Sequence, residues 1–260
     1  MKRDIKVVFI DFDGTLTNQA TNELTEKPDE LIDSLKKAGA VPVISTGKGL
    51  YFIYDLLANK PRLLDGYFIL HDGALVLNPF TGDILHSNIM SAEIVGGLLE
   101  KLTAITQNTY LNKATGLFSE HNLLSKDSSL FKFWNKTLDH EGVYQVYVRD
   151  IQESLVTTIK DLADHFDLEM YSFASRRNSR SLMIHNRTSN KACAIKKVLD
   201  RGGWTEKEAA VIGDGVNDLP AFMLDVFKIA ASDAIPELKN KADLVLEVGE
   251  RIDSTILKLI

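Results

Sequence analysis

The chain begins with a nearly continuous apolar run, Ile5 to Ile10, that stops at the polar stretch Asp11-Phe12-Asp13-Gly14-Thr15. A strand apolar on both sides must be covered on both, as in a parallel sheet with helices on its two faces. The same unit recurs downstream. Asp29 to Ala38 has Leu31, Ile32 and Leu35 on one face, Pro28 before it and Gly39 after it, which predicts a helix. Val41 to Ile44 is a second apolar run, ending at Ser45-Thr46-Gly47; a helix from about Leu50 to Ala58 and a strand from Tyr67 to Leu70 follow. Alternation of this kind predicts right-handed strand–helix–strand units, whose ligands lie beyond the carboxyl ends of the strands. Asp11 and Thr46 both fall there.

The last quarter repeats the pattern. Asn190 to Arg201 is predicted helical on the stripe Ala194, Ile195, Val198 and Leu199, and Ala209 to Ile212 is a strand that ends at Gly213-Asp214-Gly215. Further strands are expected at Val226 to Ala230 and Leu244 to Leu246, with helices at Pro236 to Ala242 and Ile252 to Leu259. The middle differs. Between about 85 and 187 aromatic and polar residues rise (Phe131, Phe133, Trp134, Tyr144, Tyr147) and strand signals weaken. Helices at Ala92 to Thr106 and Glu153 to His165 flank that region. It reads as a separate α+β insertion, and no repeat or low-complexity segment interrupts the chain.

Composition narrows the partners. A net charge of −6 without a long Lys/Arg run disfavours a grip on nucleic acid. Val7 to Ile10 is too short to span a bilayer, and no signal-peptide apolar region follows Lys2-Arg3, so no membrane partner is expected. The one cysteine, Cys193, excludes an internal disulfide and fits a reducing cytoplasm; within its helical pattern it reads as a small buried side chain. A monomer or weak homo-oligomer is expected.

Four polar clusters close apolar strands or open a helix: Asp11 to Thr15, Thr46-Gly47, Lys191, and Gly213-Asp214-Gly215-Val216-Asn217-Asp218. Gathering such carboxylates without a cation is costly, and a hard divalent ion with oxygen ligands relieves the repulsion. A hydroxyl, a lysine and the backbone N–H groups of glycine loops are what phosphate oxygens require. The set describes a phosphoryl-transfer site with a carboxylate available as nucleophile.

These four clusters, Asp11-Phe12-Asp13-Gly14-Thr15-Leu16, Ile44-Ser45-Thr46-Gly47, Lys191 and Gly213 to Asp218, resemble in order the four motifs of the haloacid dehalogenase superfamily. The resemblance extends to Ala234-Ile235-Pro236-Glu237-Leu238-Lys239. Too few residues separate Thr15 from Val41 to hold a cap, whereas the stretch from Thr46 to Lys191 can, an arrangement similar to the Cof-like branch. The resemblance implies a Rossmann-like α/β core, residues 1–84 and 188–260, with an inserted α/β cap domain, residues 85–187. It implies that Asp11 attacks phosphorus, Asp13 acts as acid and then base, Thr46 and Gly47 bind the phosphoryl group, and Lys191 neutralises charge. It also implies Mg2+ held by Asp11, Asp214 and the Asp13 carbonyl, supported by Asp218, with Asn217 on the phosphate. The expected activity is hydrolysis of a small phosphorylated metabolite, a sugar phosphate or phosphorylated cofactor.

Other readings stand beside it. A phosphomutase or phosphotransferase would use the same residues, and a non-catalytic phospholigand-binding protein could keep the fold. Asp11 to Thr15 as a calcium loop fails because Asn22 stands where the closing glutamate belongs. Gly213 to Asp218 breaks the dinucleotide fingerprint at Asp218. Lys48, His71-Asp72-Gly73-Ala74 and Ser232-Asp233-Ala234 depart from the branch's usual residues where substrate is expected. His71 could line the site or be structural, Asp233 reads as a helix N-cap, and Arg176, Arg177 and Arg180 are candidates to meet a second part of the substrate.

Overall fold

A computed structural model of the chain describes residues 4–17, 28–57, 66–113, 116–118, 123–124, 142–175, 179–248, 255 and 257. The expectations on Asn22, Phe131, Phe133, Trp134, Arg176 and Arg177, and most of the helix expected at Ile252 to Leu259, lie outside these residues. Two compact units emerge, residues 1–47, 55–86 and 190–260 in the first and residues 48–54 and 87–189 in the second.

In chain order the strands are β1 (Val7–Asp11), β2 (Val41–Ser45), β3 (Phe68–Leu70), β4 (Leu75–Leu77), β5 (Ile84–Ser87), β6 (Thr109–Lys113) and β7 (Gly116–Phe118). They continue as β8 (Leu123–Leu124), β9 (Val143–Ile151), β10 (Leu168–Ala174), β11 (Arg180–Asn186), β12 (Ala209–Gly213), β13 (Phe227–Ala230) and β14 (Leu244–Val245). The α-helices are α1 (Pro28–Lys37), α2 (Leu50–Leu57), α3 (Ala92–Thr103), α4 (Val156–His165), α5 (Lys191–Gly202) and α6 (Pro236–Lys239).

The first unit is built on the sheet β14-β13-β12-β1-β2-β3-β4-β5. From β14 to β3 every neighbour is parallel, and β4 turns back antiparallel on β3. β1 lies in the middle and is buried along its whole length, as its unbroken apolar run requires. Its Val7 and Phe9 share a core with Ala194, Ile195, Val198 and Leu199, the apolar stripe of α5. β1 starts two residues later than the apolar run and ends one later, because Asp11 continues the ladder opposite Ser45. Asp11 is therefore the last residue of a central strand, held by sheet hydrogen bonds rather than by a loop.

Smaller corrections follow from local geometry. α6 has Ile235 at its N-cap with no side-chain cap bond, so Asp233 sits in the preceding turn and does not cap the helix. That helix also stops at Lys239, short of the expected Ala242. Cys193 is half-buried, not buried. Among the described residues no helix is long and apolar enough to cross a membrane.

The second unit is a six-stranded antiparallel sheet, β10-β11-β9-β6-β7-β8. Val146, Val148, Leu182 and Ile184 face α3 and α4 through Leu98, Leu102, Ile159 and Ala163. The alternate positions carry Gln145, Tyr147, Ser181 and His185. One apolar face per strand gives only a period-two signal, which reads more weakly than β1 even though Gln145, Ser181 and His185 on the other face are buried too. Leu98 has no exposed surface in this core. Leu98→Ala should therefore cost about 2–5 kcal/mol, seen as a lower urea midpoint with an unchanged far-UV circular dichroism spectrum before unfolding.

Candidate active site

Because β12, β1, β2 and β3 are parallel neighbours, their carboxyl ends emerge side by side. Asp11 ends β1, Asp214 follows β12, Thr46 follows β2, and His71-Asp72-Gly73 follows β3. Four segments distant in sequence are thus delivered to one edge of one sheet, the edge where such sheets bind ligands.

The segment after Asp11 is a tight turn. Leu16 N and Thr17 N both donate to the Phe12 carbonyl, each at 2.9 Å, and Thr17 Oγ1 adds a third bond at 3.2 Å. Gly14 supplies the left-handed residue at φ 72°, while Phe12 and Leu16 are buried and anchor the turn. Asp13 stands half-buried within it. The hydroxyls of Thr15 and Ser45, both buried beside this strand end, have no hydrogen-bond partner among the described residues.

Lys191 is the first residue of α5 and is 1% exposed. An ammonium at a helix N-terminus opposes the helix dipole, so packing and propensity alone do not explain it. Its Nζ donates to Asp11 Oδ1 and to Asp218 Oδ1, each at 2.5 Å. Burial works against its charge, but Asp11, Asp218 and Asp72 outweigh burial and hold the ammonium charged, well above its ordinary pKa. The Asn190 side chain caps the helix by accepting from Cys193 N at 3.0 Å, which fixes where Lys191 starts.

Asp218 joins the loop to the lysine. Its second oxygen accepts from Asp214 N at 3.0 Å and Gly215 N at 3.1 Å. A Cβ on Gly213 would lie 2.4 Å from the Asp218 carboxyl carbon, so glycine is required for this close approach. Carboxylate oxygens of Asp11, Asp214 and Asp218, all buried, lie within 4.8 Å of one another. Three carboxylates against one ammonium leave excess negative charge in a dry site. Asp11 is consequently held well above the usual carboxylate range, first by burial, then by Asp218 and Asp214 against the opposing pull of Lys191. An all-oxygen, hard, strongly anionic donor set fits a divalent ion such as Mg2+.

The turn after β3 holds what the sequence did not assign. His71, Asp72 and Gly73 are consecutive left-handed residues at φ 50°, 54° and 102°. Asp72 N donates to the Thr46 carbonyl at 3.1 Å, and Asp72 Oδ1 accepts from Asn217 Nδ2 at 2.8 Å. A Cβ on Gly47 would fall 2.8 Å from that same oxygen, and one on Gly73 would fall 2.3 Å from the Asn190 carbonyl. The turn therefore touches the segments that carry Thr46, Gly47, Asn217 and Lys191. Its only sequence signal is a pair of polar residues and a glycine at the end of a buried strand.

The structure brings Asp11, Asp214, Asp218 and Lys191 into one cluster, and sets Gly47 and Asn217 against Asp72. Thr46 is buried, with its backbone N–H on the Ile69 carbonyl at 2.8 Å. Lys48 packs its ammonium 4.3 Å from the centre of the Phe52 ring. Arg180, in the second unit, donates through Nε to Ser172 Oγ at 3.0 Å and lies 3.6 Å from Glu153.

A family model of haloacid dehalogenase-like hydrolases matches residues 8–256. Among curated relatives, a Streptococcus pyogenes protein provisionally named a bifunctional phosphatase and peptidyl-prolyl cis-trans isomerase is 23% identical over 260 residues. That match covers 95% of this chain and 52% of the relative, so the chain spans about half its length. A phosphoglycolate phosphatase of Thermoplasma volcanium is 24% identical over 251 residues, 95% of each protein. The crystal structure of a haloacid dehalogenase-like hydrolase from Bacteroides thetaiotaomicron superposes with a TM-score of 0.78 at 21% identity, covering 98% of this chain and 100% of that one. At that identity the structural likeness speaks for the fold.

The excess charge has a measurable consequence. With its carboxyl raised above the ordinary 3.8, native Asp11 keeps a proton that the unfolded chain has already lost. Stability of the EDTA-treated protein should then fall as pH rises from about 4 through the raised native pKa. Saturating Mg2+ should flatten that fall and raise Tm at neutral pH, because an ion that binds only the native site stabilises it by mass action. Differential scanning fluorimetry across pH, with and without Mg2+, checks both.

Proposed function

Since the chain belongs to the haloacid dehalogenase-like hydrolases, we propose that it is a Mg2+-dependent phosphatase that hydrolyses small phosphomonoesters through a phosphorylated Asp11. The observation that carries this reading is the buried Lys191 ammonium on Asp11 Oδ1, with Asp214 and Asp218 within carboxylate reach. A carboxylate must be ionised to attack phosphorus, and burial of Asp11 opposes ionisation. Lys191 counters that opposition at the Asp11 carboxylate.

In the first step an oxygen of Asp11 attacks phosphorus and the bond to the leaving alkoxide breaks. Asp13, two residues on in the same turn, gives that oxygen its proton, so an alcohol departs. In the second step Asp13, now ionised, takes a proton from water as the water oxygen attacks the phosphorus of the acyl phosphate. The Asp11–phosphorus bond breaks, inorganic phosphate leaves and the carboxylate is restored. Thr46, the Gly47 N–H and Asn217 present donors to the phosphoryl oxygens, whose charge grows in the transition state. Asp11, Asp214 and the Asp13 carbonyl, with Asp218 in support, would hold Mg2+, and the chemistry it would supply is a further positive charge near the phosphoryl oxygens.

The motif residues recognise a phosphoryl group and nothing beyond it. We therefore assign choice of the leaving group, a sugar or cofactor-like alcohol, to the inserted unit acting as a cap. The protein relatives named for phosphatase activity support the reaction class, and the three-carboxylate cluster supports the metal.

Two outcomes are expected. Asp11→Asn should lower kcat for p-nitrophenyl phosphate by about a thousandfold or more, about 4 kcal/mol of barrier, with an unchanged circular dichroism spectrum. Retained turnover within about tenfold of wild type, about 1.4 kcal/mol, would overturn Asp11 as the nucleophile. Excess EDTA should abolish turnover and added Mg2+ restore it; undiminished activity in EDTA removes the metal from the reading.

A further inference from the structure

We infer that Asp72 is a positioning residue that sets the side-chain orientation of Asn217, so that the amide offers a donor and not an acceptor to the phosphoryl group. An asparagine amide turned end over end exchanges its nitrogen for its oxygen with little change of shape. Only its hydrogen-bond partners decide which end points where.

Here one end is hydrogen-bonded and the other is closely packed. The Asp72 carboxylate, an acceptor and never a donor when ionised, takes one N–H of Asn217 Nδ2 at 2.8 Å. The opposite end, Asn217 Oδ1, is seated against Gly215, where a Cβ would lie 2.8 Å from it. The nitrogen carries two protons. One is bound to Asp72, and the other is available to an anionic oxygen. The reversed amide would aim its oxygen at Asp72, setting acceptor against acceptor, and would offer the phosphoryl group another oxygen. The carboxylate thus decides the sign of the dipole that Asn217 presents.

The surroundings hold Asp72 for this task. It is buried, its N–H is tied to the Thr46 carbonyl at 3.1 Å, and it adopts φ 54°, ψ 26°. A left-handed residue other than glycine costs about 1 kcal/mol or more, and persists where neighbours over-determine it. Gly73, without room for a Cβ beside the Asn190 carbonyl, and Gly47, without room beside the Asp72 carboxylate, are those neighbours. An asparagine at position 72 could also accept through its oxygen, but it could equally turn its own amide and release Asn217. Only a carboxylate makes the choice one-sided.

The inference rests on the phosphatase reading only in taking Asn217 as a phosphoryl contact. The test is a double-mutant cycle on p-nitrophenyl phosphate together with a spectrum that needs no turnover. Asp72→Ala should lower kcat/KM about tenfold, the size of one charge-assisted hydrogen bond, with most of the loss in kcat because Asn217 meets charge that grows in the transition state. Asp72→Asn should recover part of the loss. The Asp72→Ala, Asn217→Ala double variant should be no worse than Asn217→Ala alone, because Asp72 acts through Asn217. Independent, additive losses would overturn the inference. In 15N NMR of the whole protein, the Asn217 side-chain amide, identified by its disappearance in Asn217→Asp, should shift and exchange faster in the Asp72 variants. An unmoved amide signal overturns the inference too, and if Asp72→Ala fails to fold, the same spectrum of Asp72→Asn decides. Absence of any wild-type turnover would sink the phosphatase reading alone, leaving the amide signal to judge Asp72.

Discussion

The first unit is organised around one buried ammonium. Placing Lys191 under the sheet edge costs several kcal/mol of lost hydration, and each buried carboxylate facing it costs a similar amount. Neither set is tolerable alone. Asp11 and Asp218 each come to 2.5 Å from the lysine nitrogen, which satisfies two of its three protons. The arrangement still leaves three carboxylates facing one cation, with Asp214 completing the set. A site that only needed stability would pair its charges evenly or bury hydrocarbon in their place. The surplus negative charge makes sense as a receptor for positive charge, and without such charge the same field, together with burial, holds the Asp11 carboxyl above the usual carboxylate range.

That cluster depends on sheet topology. Lys191 and Asp11 are 180 residues apart in the chain, and Asn217 and Asp72 are 145 apart. Parallel pairing makes each strand of β12, β1, β2 and β3 point the same way, so their ends deliver polar residues to one line. The apolar strands and the α5 stripe hold that line in register through a shared core. Shifting β1 by one residue against β2 would carry Asp11 past Ser45 and turn its side chain to the other face. The rigid interior therefore sets the position of the charges, while the loops contribute only short, glycine-dependent turns.

Much of this was legible in the sequence, for a definite reason. Asp11, Thr46 and Asp214 each follow a buried apolar run and Lys191 opens an amphipathic helix, so periodicity put them at element ends, and the order of the four motifs singled them out. The six parallel strands of the first sheet and the family followed from the same alternation and from the motif order, whereas β4 and β5 were not expected from it. Asp72 was not legible as a partner of Asn217, because a single-residue conformation with positive φ leaves no period behind, and its partner lies far along the chain. The antiparallel sheet of the second unit was faint for another reason. Its strands are apolar on one face only, and the other face carries Gln145, Tyr147, Ser181 and His185, residues that resemble surface when read in one dimension. The N-cap assigned to Asp233 failed because α6 begins with a proline and takes Ile235 at its cap instead.

The strain after β3 gives the last link. His71 and Asp72 hold left-handed conformations that glycine would adopt more cheaply, yet only Gly73 in this turn is glycine. Histidine and aspartate are among the side chains that enter this region most readily, which limits the cost without removing it. A turn that merely linked β3 to β4 would gain from a glycine at position 72. What glycine would lose is the carboxylate that meets Asn217 and the contact that fixes Gly47 beside it. Reversal of the chain at the strand end and delivery of a carboxylate are thus done by the same residue. The left-handed backbone turns the chain back toward β4, and the Asp72 side chain points back across the ends of the neighbouring strands. Local strain in one turn is accepted because it joins three segments that the sheet brings near one another but does not itself tie together.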